Sequence, residues 1–313
     1  MKKIILILFL AFQVNSVFCQ KDNFGKIAIS TVMPENVEGL NRSNLSKLET
    51  KITQILTSNG IGAKGYNFNF VIYPVFEIYE SKPVEGGMEN LLLINCQLNL
   101  FIKNVNNNMI FASINKPLKG IGSEKQTALT NAISKINLKD ADFQTFIETG
   151  KTKIIQYYES TCQDIISKSE GLVKMQDYQQ ALGLLMTIPE EVSCYKKAQE
   201  KSIEAYKAYQ NQRCNVQLQQ AKTELASNNY GSALNILSQI DPSTSCYKES
   251  QSLISSASTK VDAEERRQLE LMMKVYNDAV ALEKLRINAV KEIAVSYYNS
   301  KPTTVNYTYL IGY

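Results

Sequence analysis

Ser193-Cys194-Tyr195-Lys196 and Ser245-Cys246-Tyr247-Lys248 are two copies of one tetrapeptide, 52 positions apart in a chain of 313 residues. The same offset aligns eleven identical pairs within 38 positions, beginning with Cys162 and Cys214. The pairs outside the tetrapeptide and these cysteines are Tyr178 with Tyr230, Ala181 with Ala233, Leu182 with Leu234, Leu185 with Leu237, Ile188 with Ile240 and Gln199 with Gln251. A repeat of this length indicates stacked helical units, because one such unit cannot bury its apolar face alone. Residues 139–260 are therefore predicted to form an all-α repeat domain.

A turn, an aromatic residue and an alanine recur at one spacing inside each copy. Asn228-Asn229-Tyr230-Gly231-Ser232-Ala233-Leu234 shows it, and so does Gln176-Asp177-Tyr178-Gln179-Gln180-Ala181-Leu182. This pattern resembles the helical hairpins of tetratricopeptide repeats, which implies antiparallel helix pairs that approach closely at the alanine. The period here is 52 residues instead of the ~34 of that family. A long helix from Cys194 to Ser227 is expected to occupy the difference.

Four cysteines of the repeats, Cys162, Cys194, Cys214 and Cys246, are predicted to form disulfides that staple the hairpins. A predicted helix keeps Cys194 and Cys214 about 30 Å apart, too far for a bond. Repeat symmetry favours Cys162–Cys194 and Cys214–Cys246 over the crossed pairing, which stays open. Because C-x-x-C spacing is absent, no metal site is expected. Cys96 is predicted to be a buried free thiol.

Residues 20–138 are predicted to form one α/β domain, a sandwich of helices on a sheet in the order β-α-β-β-β-α. Together with the all-α repeats, this domain places the chain in the α+β fold class. Alternating apolar residues predict strands, and apolar residues at helical spacing predict helices. On the strand at 92–103, Asn95, Gln97 and Asn99 form a polar face opposite the apolar one, which predicts a sheet covered on one side. A capping box at Ser123-x-x-Gln126 is expected to open the second helix. The other strands are expected at 26–33, 68–80 and 109–118, and the first helix at 41–58.

The N-terminal domain resembles a known class of envelope proteins. The element order, the stretch Lys119-Gly120-Ile121-Gly122-Ser123 and a helix rich in Ala128, Asn131 and Ala132 look like the small α/β domain of bacterial envelope accessory proteins. Examples are the curli-secretion lipoprotein and the outer-membrane activators of penicillin-binding proteins. The resemblance implies a domain that binds a protein partner and catalyses nothing.

The whole arrangement is also similar to a set of exported proteins of Bacteroidota. The likeness rests on a short signal that ends before Gln20, the stretch Pro34-Glu35-Asn36-Val37-Glu38-Gly39-Leu40, cysteine-bearing helical repeats and an aromatic C-terminus. It implies location and architecture, and no activity.

Residues 1–19 are predicted to be a signal peptide. Met1-Lys2-Lys3 is basic, and the apolar run Ile4–Phe12 is too short to span a bilayer. Cleavage is expected before Gln20. A lipobox reading of Cys19 is the alternative, although Phe18 stands where a small residue is needed. The protein is therefore expected to be exported and to be periplasmic, outer-membrane-associated or secreted, with membrane association only if Cys19 carries a lipid.

The C-terminal part is predicted as one long helix over 261–300 followed by a β-prone tail over 301–313. The helix is expected to pack against the preceding hairpins, with an intermolecular coiled coil as the alternative. The tail alternates apolar and polar residues. Its Tyr307, Tyr309, Ile311 and Tyr313 are candidate partner-binding residues, because the strand can join a sheet edge of its own chain or of a partner.

Composition excludes several kinds of chemistry. The chain has no histidine, so catalytic triads and histidine-liganded zinc are ruled out. A formal net charge of +4 is too small for a nucleic-acid-binding surface. No cofactor site is expected. Glu77, Glu80, Glu85 and Glu89 lie close together in sequence and could serve a paired-carboxylate hydrolase only if they converged in a cleft.

These observations favour a non-enzymatic, exported protein of the cell envelope that acts in protein–protein interaction or as a scaffold, with an unknown protein or itself as partner. One alternative is a carboxylate-dependent hydrolase of envelope glycans that uses Glu77 or Glu85. A second alternative is a self-assembling structural subunit joined through its C-terminal tail. The recurring tyrosines Tyr178, Tyr195, Tyr230 and Tyr247 are expected to be mostly core residues.

Overall fold

A four-stranded sheet with helices on one face forms the N-terminal part of the chain. The structure is a computed structural model, which describes residues 26–62, 69–86 and 89–300. The strand order is β1-β2-β3-β4; β1 runs parallel to β2, and the other pairs are antiparallel. The elements are β1 (Ile29–Thr31), α1 (Arg42–Ser58), β2 (Phe70–Gly86), β3 (Glu89–Asn104), β4 (Ile110–Gly122) and α2 (Lys125–Ser134). The predicted α+β class and the order β-α-β-β-β-α are confirmed.

Strict alternation along the strands separates a buried face from an open one. On β3 every second side chain is buried: Ile94, Cys96, Leu98, Leu100 and Ile102. Burial raises the pKa of the Cys96 thiol to about 11, so this free cysteine is a protonated core residue. A turn joins β3 to β4, and Asn108 adopts the left-handed conformation there with φ 60°, which asparagine tolerates.

The capping box predicted at Ser123 and Gln126 is wrong. The residue that precedes α2 is Glu124, and its side chain does not cap the helix. The Gln126 amide instead donates to the Gly39 carbonyl at 2.9 Å and accepts from Asn44 Nδ2 at 2.9 Å. A tertiary contact between α1, the loop before it and α2 therefore takes the group that a local cap would have used.

The repeats form helical hairpins with equivalent turns. Their helices are α3 (Ala141–Lys174), α4 (Tyr178–Leu185), α5 (Tyr195–Ala226), α6 (Tyr230–Ser238) and α7 (Tyr247–Ala257). Gln176 and Asn228, which are equivalent residues of the two copies, both have left-handed backbone with φ 62° and 60°. The duplication is thus present in the backbone as well as in the sequence, and α5 is the long helix predicted between the hairpins.

The long C-terminal helical segment is confirmed, and Asp278 divides it into α8 (Ala263–Asn277) and α9 (Ala279–Asn299). Asp278 has an extended backbone, and its side chain accepts hydrogen bonds from the amides of Val280 and Ala281. Aspartate favours such a capping position over a helix interior. Helix α9 packs against α4 and α5, and α8 packs against α6, which agrees with intramolecular packing.

One hydrophobic core runs from the sheet into the first repeat. It contains Leu98 and Ile102 of β3, Ile154 of α3 and Leu185 of α4. Gly150 allows α3 to approach the sheet, because a Cβ there would lie 2.4 Å from Ile102 Cδ1. The two halves of the described chain are therefore packed together across residue 138. None of the described helices is both long enough and apolar enough to cross a membrane.

Candidate interaction surface

The sheet face opposite the helices is open. Helices α2 and α3 pack against the buried side of β4. The strand register brings three-residue rows together on the other side. These rows are Tyr73–Phe101–Ser113, Val75–Asn99–Asn115, Glu77–Gln97–Pro117, Glu80–Asn95–Lys119 and Lys82–Leu93–Ile121. We call this surface the open face; all five of its β4 side chains are exposed.

A hydrogen-bonded polar network lies at the centre of the open face. Gln97 Nε2 donates to Asn99 Oδ1 at 2.8 Å, and Asn99 Nδ2 donates to Glu77 Oε2 at 3.2 Å. The Tyr79 hydroxyl donates to the same carboxylate oxygen at 2.8 Å. This bond to Glu77 raises the pKa of Tyr79, so the phenol remains a donor. The network holds the side chains in fixed positions, which lowers the entropy cost of binding a partner there.

A β-bulge at Tyr79 brings a second glutamate onto the open face. The register shifts between Ile78 and Glu80, so Glu77 and Glu80 share one face although they are three positions apart. Glu80 forms an ion pair with Lys82 and accepts from Asn95 Nδ2 at 3.0 Å. The bond from Lys82 lowers the pKa of Glu80, and Asn95 contributes in the same direction. A general acid needs the opposite shift.

The edge of β4 is protected against the addition of another strand along part of its length. Pro117 has no amide hydrogen to donate. The Ile121 amide donates to Asn131 Oδ1 at 3.2 Å, and the Lys119 carbonyl accepts from Lys135 Nζ at 3.2 Å. The side chains of Asn131 in α2 and of Lys135, which directly follows it, therefore occupy backbone groups that an incoming strand would need. A partner can therefore reach the open face of the sheet more easily than this edge of β4.

Two disulfides hold the repeats, in the pairing that repeat symmetry favours: Cys162–Cys194 and Cys214–Cys246. A side chain one turn before the first cysteine of each pair stabilises the loop that carries the second. Glu159 accepts from the amide and hydroxyl of Ser193, which lower its pKa. At the equivalent place Asn211 accepts from the Ser245 amide at 2.9 Å. Disulfide bonds persist in oxidising compartments, so the two disulfides are compatible with export.

A buried ion pair fastens the C-terminal helices onto the repeats. Arg286 of α9 donates two hydrogen bonds to the Asp241 carboxylate, one from Nε at 2.9 Å and one from Nη2 at 2.7 Å. Asp241 is 2% exposed. Burial alone would raise its pKa, but the bonds from Arg286 and Ser243 outweigh burial and lower it. Twelve residues further along α9, the Tyr298 hydroxyl donates to the Gly183 carbonyl at 3.0 Å. Helix α9 thus covers α4, a surface that a partner helix would otherwise contact.

The other predicted site residues differ in how the structure places them. Two predictions lie outside the described residues: the signal peptide over 1–19 and the partner-binding tail with Tyr307, Tyr309, Ile311 and Tyr313. The main chain of Glu85 pairs with that of Asn90, but the Glu85 side chain is not among the side chains that the structure describes. Tyr178 is buried, whereas Tyr195, Tyr230 and Tyr247 are half-buried. Across 26–62, 69–86 and 89–300, no group of three potential ligand side chains is arranged to hold a metal ion.

The pair Asp241–Arg286 was not predicted from the sequence. One signal was available: at the 52-residue offset Asp241 corresponds to Pro189, so the second copy carries a charge where the first has none. The open face was visible as the alternation Asn95, Gln97 and Asn99. Its link to Glu77 was not, because the strand register is unknown from sequence.

The comparisons with known proteins are sparse. No protein-family model and no curated protein matches the chain. Among solved structures, a minor lipoprotein from Acinetobacter baumannii is similar at a TM-score of 0.27 and 15% sequence identity, over 41% of this chain and 94% of that chain. At this level the similarity assigns neither fold nor function to this chain.

Proposed function

We propose that this is an exported, non-enzymatic protein of the cell envelope that binds a protein partner through the open face of its sheet. The observation that carries the proposal is the open face itself: long strands present a hydrogen-bonded polar network, and none of the helices in the described part of the chain packs over it. A rigid surface of this kind suits a protein partner. The two disulfides support the export part of the proposal.

One feature disfavours the helical repeats as the binding surface, and another disfavours a catalytic role for the glutamates. Helices α8 and α9 already contact α6 and α4, which leaves less of the repeat surface for a partner. Glu77 is exposed and hydrogen-bonded to Tyr79 and Asn99, and the pKa of Glu80 is lowered. Both carboxylates therefore fit a polar contact surface better than the acid–base pair of a glycan hydrolase.

Site-directed photo-crosslinking in the native envelope tests the proposal. A photoreactive residue replaces Gln97 or Asn115 on the open face, and a control replaces Glu49 on the exposed side of α1. We expect one discrete crosslinked protein from both open-face positions and none from position 49. Equal crosslinking from position 49, or none from the open face, would contradict the proposal.

A further inference from the structure

The open face carries unlike charges on its two sides. Glu77 and Glu80 lie on β2 and Lys119 lies on β4, so the row Glu80–Asn95–Lys119 has one acidic and one basic end. Lys119 is exposed, and its side chain enters none of the ion pairs found among the described residues. Lys135 Nζ donates to the Lys119 carbonyl at 3.2 Å and adds a second positive charge there. The face is therefore more negative on its β2 side and more positive on its β4 side.

The central strand of the open face presents groups that can pair with copies of themselves. Asn95, Gln97 and Asn99 carry amides, and an amide both donates and accepts hydrogen bonds. Leu93 and Phe101, at the two ends of this column, are apolar and can bury surface against each other. All five side chains are half-buried. A second open face laid along β3 would therefore meet a matching group at every row.

A two-fold axis parallel to β3 matches the charges as well. Rotation about this axis lays β3 on β3 of the other copy and β2 on β4 of the other copy, with each row at its own level. Glu80 then faces Lys119 of the other copy, and the symmetry repeats this contact. A two-fold axis across the strands at the central row would instead lay Glu77 on Glu77, a like-charge contact that is unfavourable. The charges therefore select the axis parallel to β3.

The open face has the area for a weak dimer. It comprises five rows on three strands. With about 6.8 Å per row and about 4.8 Å per strand, the patch measures roughly 500 Å². Two such patches bury about 1,000 Å² in total, the lower limit for a specific interface. We therefore expect the chain to be monomeric in dilute solution, with Lys119 open to solvent, and to pair as its concentration rises.

We propose that a second copy of this chain is the partner of the open face, bound about a two-fold axis parallel to β3 with Glu80 opposite Lys119. The inference rests on the proposed function and names its partner. The ion pair of Glu80 with Lys82 is exposed, so Glu80 can engage a second lysine at little cost. The same rotation places the stem of Lys82 over Ile121 of the other copy, where it can pack while its charge stays in water.

Sedimentation of the purified chain, without its predicted signal peptide, tests the pairing from about 1 to about 500 μM. The mass of the wild type should rise towards twice that of the monomer. Glu80→Lys and Lys119→Glu each place like charges opposite one another and should weaken association at least about ten-fold. An equimolar mixture of these two variants should associate as well as the wild type, because both contacts then join opposite charges. Glu49→Lys and Lys47→Glu, exposed on α1, are the matched controls and should change nothing.

Photo-crosslinking of the concentrated chain decides the matter if circular dichroism shows that a variant is unfolded. A photoreactive residue in place of Gln97 should crosslink to β3 of the second copy, and one in place of Asn115 should crosslink to β2 near Val75. A crosslink from position 115 to β4 of the second copy, or no crosslink between copies, would overturn the inference.

Two sedimentation results would also overturn the inference: a wild type that stays monomeric at about 500 μM, or a mixture of folded variants that pairs no better than either alone. The proposed function can survive this failure. If positions 97 and 115 capture a different protein in the native envelope, the open face binds that protein and only the second copy is excluded. If they capture nothing there, both proposals fail.

Discussion

At the residue scale, the buried pair Asp241–Arg286 joins α9 to the repeats. Its partners are 45 positions apart, and both are almost fully buried. Removal of one partner leaves a buried charge without compensation, which costs more than the pair itself contributes. The pair therefore specifies where α9 lies on the repeats.

Asp241→Asn should lower the free energy of unfolding by about 3–5 kcal/mol, because the guanidinium of Arg286 stays buried without its counter-charge. Urea unfolding under oxidising conditions measures the change. Glu249→Gln is the matched control. It removes the exposed pair of Glu249 with Lys222, which is 2.7 Å long, and should cost less than about 1 kcal/mol. Equal losses in the two variants would contradict the role given to Asp241.

The same pair predicts a pH dependence. The pKa of Asp241 is lower in the folded chain than its ordinary value of 3.8, so its stabilising effect is complete above that value. The effect is lost as the pH falls through the lower folded-state pKa. The free energy of unfolding should be measured for the wild type and Asp241→Asn from neutral pH to about pH 2. The difference in this free energy between the two proteins should narrow below the ordinary pKa of 3.8. A gap that is constant over this range would count against the ion pair.

At the element scale, two helix glycines should respond to alanine with opposite signs. A Cβ at Gly183 in α4 would lie 2.7 Å from Tyr297 Cδ1 of α9, whereas a Cβ at Gly171 in α3 meets nothing within 4 Å. Gly183→Ala should therefore destabilise the fold by about 1–3 kcal/mol through overpacking. Gly171→Ala should stabilise it by up to about 1 kcal/mol through helix propensity. Thermal unfolding separates the two, and a stabilising Gly183→Ala would show that α9 does not pack there.

The two disulfides should contribute equally to stability. Each joins cysteines with a sequence separation of 32, so the loop-entropy estimate gives about 3–4 kcal/mol for either. The double alanine variants of Cys162 with Cys194 and of Cys214 with Cys246 should lose similar free energies of unfolding. Cys96→Ala serves as the control without a disulfide. If reductant destabilises the wild type no more than it destabilises a double variant, the disulfide removed in that variant is not formed in the wild type.

Elements with a local signal could be predicted from the sequence, and those set by distant contacts could not. The repeat predicted α3 to α6 because the same turn residues recur, and alternation predicted the strands. The break at Asp278 escaped prediction because the apolar stripe continues across it. The distal part of β2, up to Gly86, was missed because it depends on pairing with β3. In the candidate surface, the bulge at Tyr79 that brings Glu80 beside Asn95 has no sequence signature.

At the scale of the whole molecule, the helices of the described chain pack on one another and on one face of the sheet, and the other face of the sheet is exposed. The first repeat shares a core with the sheet, and α8 and α9 fold back on α6 and α4. The disulfide-linked repeats therefore stabilise the sheet by packing against it. This arrangement leaves the open face as the surface that we propose for a protein partner.

Amine footprinting of the protein in its native envelope tests that claim most directly. Lys119 on the open face and Lys47 on α1 are both exposed, so in the purified chain both should be labelled readily. In the intact envelope, we expect Lys119 to become protected from labelling while Lys47 keeps its labelling rate. Equal labelling of the two lysines in the envelope and in the purified protein would contradict a partner bound to the open face.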